Sequence, residues 1–114
     1  MAVPGTYNFN YYRGDTFSII VRPKDAVGDQ FDLTGYTATF TIASGRGTTP
    51  TSYYSGSAVV NTVDDIVTST ISSSTGNNLT SNITWVYDIQ ITDGTTVYTL
   101  LTGNITVTDD VREP

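Results

Sequence analysis

Trp85-Val86-Tyr87-Asp88-Ile89-Gln90-Ile91-Thr92-Asp93-Gly94 is the stretch on which the fold turns. In an extended chain successive side chains point to opposite faces, so Trp85, Tyr87, Ile89 and Ile91 share one face while Asp88 and Gln90 share the other. That is the pattern of a half-buried strand, and it assigns the aromatic and aliphatic face to the core. Asp93-Gly94 follows at once and leads into Thr96-Val97-Tyr98-Thr99-Leu100-Leu101. An Asp-Gly pair between two such runs supplies the positive backbone angles of a tight turn, so the spacing predicts a β-hairpin.

Working outward, the same period of two recurs. Residues 16–22 place Phe17, Ile19 and Val21 on one face, and residues 37–42 do so with Ala38, Phe40 and Ile42. Residues 57–62, 66–71 and 104–108 follow suit, with turn-forming Gly, Asn, Asp, Ser and Pro between the runs. Residues 72–79 are rich in Ser, Thr and Asn and suit a loop or a single helical turn. The β-branched excess fits pleated surfaces and loses rotamer freedom in helices. The expected class is therefore all-β, an antiparallel β-sandwich of about seven to eight short strands.

A chain of 114 residues is one domain's worth, so residues 1–114 are expected to form a single domain. Residues 1–5 and 109–114 read as arms at its two ends, free to fray or to lie on a neighbour. Eleven acidic against five basic residues give a net charge of −6, which repels phosphate backbones and argues against a nucleic-acid partner. No apolar run approaches the roughly 18 residues that span a bilayer, and the first residues lack a secretory pattern. Synthesis in the cytoplasm is the expectation, with no membrane partner.

The chain contains no histidine and no cysteine. The commonest general base, the thiol nucleophile and the usual zinc ligands are thereby missing, and disulfides are impossible. Carboxylate-only hydrolysis needs two acids across a cleft, and the sole glutamate is Glu113 in the C-terminal arm. Asp25, Asp29 and Asp32 cluster, but their spacing is not that of a calcium loop. Gly45-Arg46-Gly47 lacks the lysine and the strand-to-helix setting of a phosphate cradle. The expectation is a protein without catalytic residues, metal or cofactor.

What the sequence does offer is contact chemistry. Arg46, Tyr53 and Tyr54 lie on and after the longest irregular segment, and arginine and aromatic residues are enriched where partners bind most tightly. They are the candidate partner contacts. Gly14, Asp15, Asp32, Gly35, Asp93 and Gly94 are expected to act as turn residues: the glycines by adopting angles closed to other residues, the aspartates by accepting local backbone hydrogen bonds.

Two segments carry a resemblance. The first runs from Tyr12-Arg13-Gly14-Asp15-Thr16-Phe17 to Asp32-Leu33-Thr34-Gly35-Tyr36; the second joins Tyr87-Asp88-Ile89-Gln90-Ile91 and Asp93-Gly94 to Leu100-Leu101-Thr102-Gly103-Asn104-Ile105-Thr106-Val107. In this order they resemble the small Ig-like virion proteins of tailed bacteriophages, including cyanophages, and the N-terminal module of phage baseplate upper proteins. The resemblance implies an Ig-like sandwich with a non-enzymatic role, an assembly or adaptor module in the tail or baseplate. Its partners would be other virion proteins, and the chain would be present in several copies as a homo-oligomer or repeated subunit. Location in the virion, after synthesis in host cytoplasm, follows from the same likeness. Baseplate upper proteins usually continue into a fibre, whereas this sequence stops at Pro114. A decoration protein on the phage head and a glycan-binding adhesion module using Tyr53 and Tyr54 are the alternative readings.

Arg13-Gly14-Asp15 also spells an integrin-binding tripeptide. Tyr7, Phe9 and Tyr11 alternate before it and Phe17, Ile19 and Val21 after it, so the sequence places it at a joint between two sheet segments, with Gly14 as the kink. Whether Arg13 pairs with an acid or is solvated is left open by the sequence.

Overall fold

A computed structural model describes residues 5–24, 27–45, 53–81 and 83–109. In chain order the elements are β1 (Gly5–Thr6), β2 (Phe9–Tyr12), β3 (Phe17–Val21), β4 (Thr37–Ala43), β5 (Tyr53–Asn61), β6 (Ile66–Ile71), α1 (Ser73–Gly76), β7 (Thr84–Thr92) and β8 (Val97–Thr108). The protein is all-β, with one helical turn among the described residues. Strands pair in the order β1-β8-β7-β4-β5-β6-β3, with β2 also on β8, and the mixed sheet curls into a half-barrel.

The alternation that defines β7 sorts its side chains as expected. Trp85, Tyr87, Ile89 and Ile91 are all buried, and Phe40 and Ile42 of β4 and Ile105 and Val107 of β8 meet them. Val67 and Ile71 of β6 close the core from the other arm of the curl. Leu33 and Leu79, from connecting segments, are also fully buried. Ser69 lies between Val67 and Ile71 on the inward face of β6, and its hydroxyl has no hydrogen-bond partner among the described residues.

Pairing continues from one arm of the curl to the other through β5. Tyr53 to Gly56 pair with β4, and Ser57 to Asn61 pair with β6. The change of partner falls at Gly56. A Cβ built there would lie 2.7 Å from the Thr70 carbonyl oxygen and 2.9 Å from Phe40 Cε2, closer than real Cβ atoms come. The ring of Phe40 therefore occupies the space a side chain would need, and glycine lets the strand bend over it.

Several expectations from the sequence differ in detail, first the strand direction: the sheet is mixed and not purely antiparallel, because β1 and β2 run parallel to β8. Residues 96–101 and 104–108 read as separate runs broken at Thr102-Gly103, yet they form one strand, β8, with Tyr87 paired to Gly103. Gly103 is not a turn residue; a Cβ there would fall 2.7 Å from the Tyr7 carbonyl carbon, so it admits the close approach of the N-terminal segment. That segment runs parallel to β8, Gly5 opposite Leu101 and Phe9 opposite Ile105. Strand β5 also begins earlier than the run at 57–62 indicated, because Tyr53-Tyr54-Ser55 extends along β4. The single turn α1 falls within residues 72–79, with the Ser72 hydroxyl accepting from the Thr75 amide. Gly5 of the expected N-terminal arm opens β1, while residues 1–4 and 110–114 lie outside the described residues.

Candidate interaction surface

Turn chemistry gathers at one end of the sheet. The Asp32 carboxylate accepts from the Thr34 amide at 2.9 Å, and the Tyr36 amide closes the turn on the Leu33 carbonyl at 3.0 Å. Gly35 has φ of 86° there, in the left-handed region that L side chains rarely adopt. The next turn is built alike: Asp93 Oδ1 accepts from Thr95 and Thr96, and Gly94 has φ of 98°. These bonds favour the ionised carboxylates, so the Thr34 and Thr96 amides hold Asp32 and Asp93 below the ordinary carboxylate range. Thr37 pairs with Thr92, which sets the two turns side by side. Phe31, Tyr36 and Tyr98 pack edge to face over them, with Phe31 5.6 Å from Tyr36 and 5.9 Å from Tyr98.

The Arg-Gly-Asp tripeptide is at the joint between β2 and β3. The Asp15 amide donates to the Tyr12 carbonyl at 3.0 Å, with Gly14 at φ of 89° inside the turn. The Tyr11 hydroxyl donates to the Asp15 carbonyl, so Asp15 serves the turn through its backbone. Burial, then the Asp15 charge, push Tyr11 above its ordinary pKa. Arg13 donates from Nε to the Asn77 carbonyl at 2.9 Å just past α1, and its Nη1 lies 3.9 Å from Asp109. Its partners are 64 and 96 residues away in sequence, which is why periodicity could not name them.

Of the candidate contacts, Arg46 lies outside the described residues, as does Asp25 of the acidic cluster. Tyr53 pairs through its backbone with Ala43. Tyr54 is half-buried, its ring 5.7 Å from that of Trp85. The structure thus seats Tyr54 against the core edge. No group of three acids, histidines or cysteines able to hold a metal ion occurs among the described residues.

The seam of the half-barrel is a surface the sequence did not single out. Among the described residues strand β3 pairs with β6 on one side only. Beside its other edge runs a groove of about 540 Å³, lined by Phe17 to Arg22 on one side and by Tyr7 and Leu101 on the other. Phe17, which lines the groove, stacks on Phe9 at 4.5 Å. On the outer face of β3, Ile20 is 56% exposed, unlike the buried aliphatics of the inward faces. A sheet edge with open backbone groups and an apolar flank has the features that suit pairing with extended chain.

No protein-family model matches the chain, and no curated protein matches it.

Proposed function

We propose that this protein is a non-enzymatic structural component of a tailed-phage virion, an assembly or adaptor module of the tail or baseplate. The observation that carries the proposal is the order of its motifs together with their geometry. The Gly14, Gly35 and Gly94 turns all have positive φ and stand before β3, β4 and β8. Those are the positions at which the resembled Ig-like proteins carry GD, DLTGY and DG. Within the all-β class, the finer reading is an Ig-like sandwich whose two layers are the arms of the curled sheet. The parallel pairing of the first strands with the last and the switch of β5 between arms support it.

An adaptor works by presenting surfaces, and among the described residues the open edge of β3 and the seam groove are the surfaces this chain presents. Its partners are then other virion proteins and further copies of itself. A mass-spectrometric inventory of purified particles tests the proposal: the chain should be present in several copies, and its absence from particles overturns it. A cryo-EM map of the same particles separates tail or baseplate from head. A glycan array is expected to stay silent, and a specific signal would favour the adhesion reading.

A further inference from the structure

Strand β3 ends the sheet, and it ends it without the usual protection. Natural edges are blunted by charges, proline or a bulge, which deter pairing with another chain. Phe17 to Val21 contain none of these and keep unbroken register with β6; Arg22 and Pro23 come only after the strand. The side chains flanking the edge are charged in opposite senses, Asp15 before it and Arg22 after it, and both are exposed. Neither belongs to the ion pair found among the described residues, which joins Arg13 to Asp109.

We propose that this edge is a self-pairing interface, in which two copies join β3 to β3 antiparallel about a two-fold axis at Ile19. An edge meets itself in a closed dimer only by such a two-fold, since head-to-tail contacts leave one edge free and propagate. Centring the axis on Ile19 pairs all five residues of the strand. Phe17 then faces Val21 of the second copy, and Ser18 faces its Ile20. Arg22 faces Thr16 of the second copy and is one residue from its Asp15, and the same contact recurs at the other end. Parallel pairing would instead set Arg22 beside Arg22, and like charges directly opposite are destabilising. The order of charges, acid first and base last, is complementary to itself only when reversed. That complementarity selects a second copy over an unrelated strand as the occupant. The half-exposed faces of Phe17, Ile19 and Val21 and the groove beside them supply the apolar surface that pairing would cover.

This inference rests on the reading of the chain as a multicopy assembly protein, and it is tested on the isolated chain so that the two can fail separately. Sedimentation over a concentration series up to about 1 mM, a range that detects weak association, compares the parent with R22D, D15R, the double variant D15R/R22D and an equimolar mixture of the two single variants. Circular dichroism checks that each variant folds. The parent should dimerise, and each single variant should weaken association at least about tenfold by placing like charges at both ends of the interface. The double variant and the mixture should both recover it, because each restores an opposite pair at each end. A parent monomeric throughout, single variants that associate like the parent, or a mixture that fails to recover would each overturn the self-pairing. A monomeric parent still found in particles would leave the virion role standing and assign the edge to a different virion protein.

Discussion

The hydroxyl of Tyr87 donates a 2.5 Å hydrogen bond to the carbonyl oxygen of Tyr7, 80 residues earlier in the chain. Tyr7 lies between β1 and β2, where the N-terminal segment skips its own pairing: the Tyr7 amide donates to Thr102, and the Asn8 side chain accepts from the Asn104 amide. Tyr87, on β7 and paired with Gly103, therefore reaches past β8 to pin the N-terminal segment along its far edge. Removing one partner leaves a carbonyl poorly satisfied next to the core, so Tyr87→Phe is expected to lower stability by about 1–2 kcal/mol. Denaturant unfolding measures the loss, and hydrogen exchange should show it first at β1 and β2.

The same hydroxyl sets an alkaline limit. Burial, then Tyr7 and Asp88, push Tyr87 up to about 12 from its ordinary 10. A folded pKa above the unfolded one means the native state holds the proton more tightly. Stability from this group is thus complete below pH 10 and is lost as pH rises through 12. Thermal unfolding between those values should show a falling midpoint, flatter in Tyr87→Phe. On the acid side the signs reverse: Asp32 and Asp93, with lowered pKa values, contribute above the ordinary carboxylate range and lose that contribution as pH falls through their folded values.

Gly56 is where one sheet becomes two arms, and the Thr70 carbonyl and the Phe40 ring leave no room for a Cβ. Gly56→Ala is expected to cost about 2 kcal/mol or more, in the range of overpacked cores. Gly45→Ala is the control: a Cβ there meets nothing within 4 Å among the described residues, so the substitution should change stability by less than about 0.5 kcal/mol. Chemical denaturation of the two variants side by side checks the contrast.

Gly35 differs from Gly56 in kind, because its constraint is the backbone angle. A Cβ there would meet nothing within 4 Å among the described residues, yet φ is 86°, and Gly14 shares the positive φ at 89°. Alanine at either position should cost on the order of 1 kcal/mol through backbone strain. Asparagine, which tolerates this region better, should recover part of the loss at Gly35. Equilibrium unfolding of the Ala and Asn variants distinguishes strain from crowding.

Ser69 is fully buried with its hydroxyl unpartnered among the described residues. An unsatisfied buried hydroxyl opposes folding, so Ser69→Ala should be neutral or should stabilise by about 1 kcal/mol. A loss of stability would mean that the hydroxyl has a partner and that packing around β6 differs from that described.

Local order was legible in the sequence because it depends on neighbours in the chain. Alternation over Trp85 to Ile91 assigned the core face of β7, and Asp-Gly and the DLTGY segment marked turns whose glycines have positive φ. Integrin recognition was already disfavoured by alternation on both sides of Arg13-Gly14-Asp15. The partners of Arg13 were not legible, since the Asn77 carbonyl and Asp109 reach it only through the fold. Thr102-Gly103 misled because glycine in a strand reads as a break, whereas here it makes room for Tyr7. Leu33 lies in a connector without alternation, so nothing in the sequence marked it as core, yet it is fully buried. The edge of β3 left no mark either: an uncharged Phe-Ser-Ile-Ile-Val run reads alike in the middle of a sheet and at its margin.

By itself the sequence determined that this chain forms strands, which faces of them are apolar and where they turn, because side-chain alternation and backbone angles are set within a few residues. Only the tertiary structure decided which strands meet. It laid the first strands parallel along the last, passed β5 from one arm of the curl to the other at Gly56, and left one edge of β3 without a partner among the described residues. Pairing joins segments tens of residues apart, and the hydrogen bonds and packing that choose among partners exist only once the sheet has closed around its core.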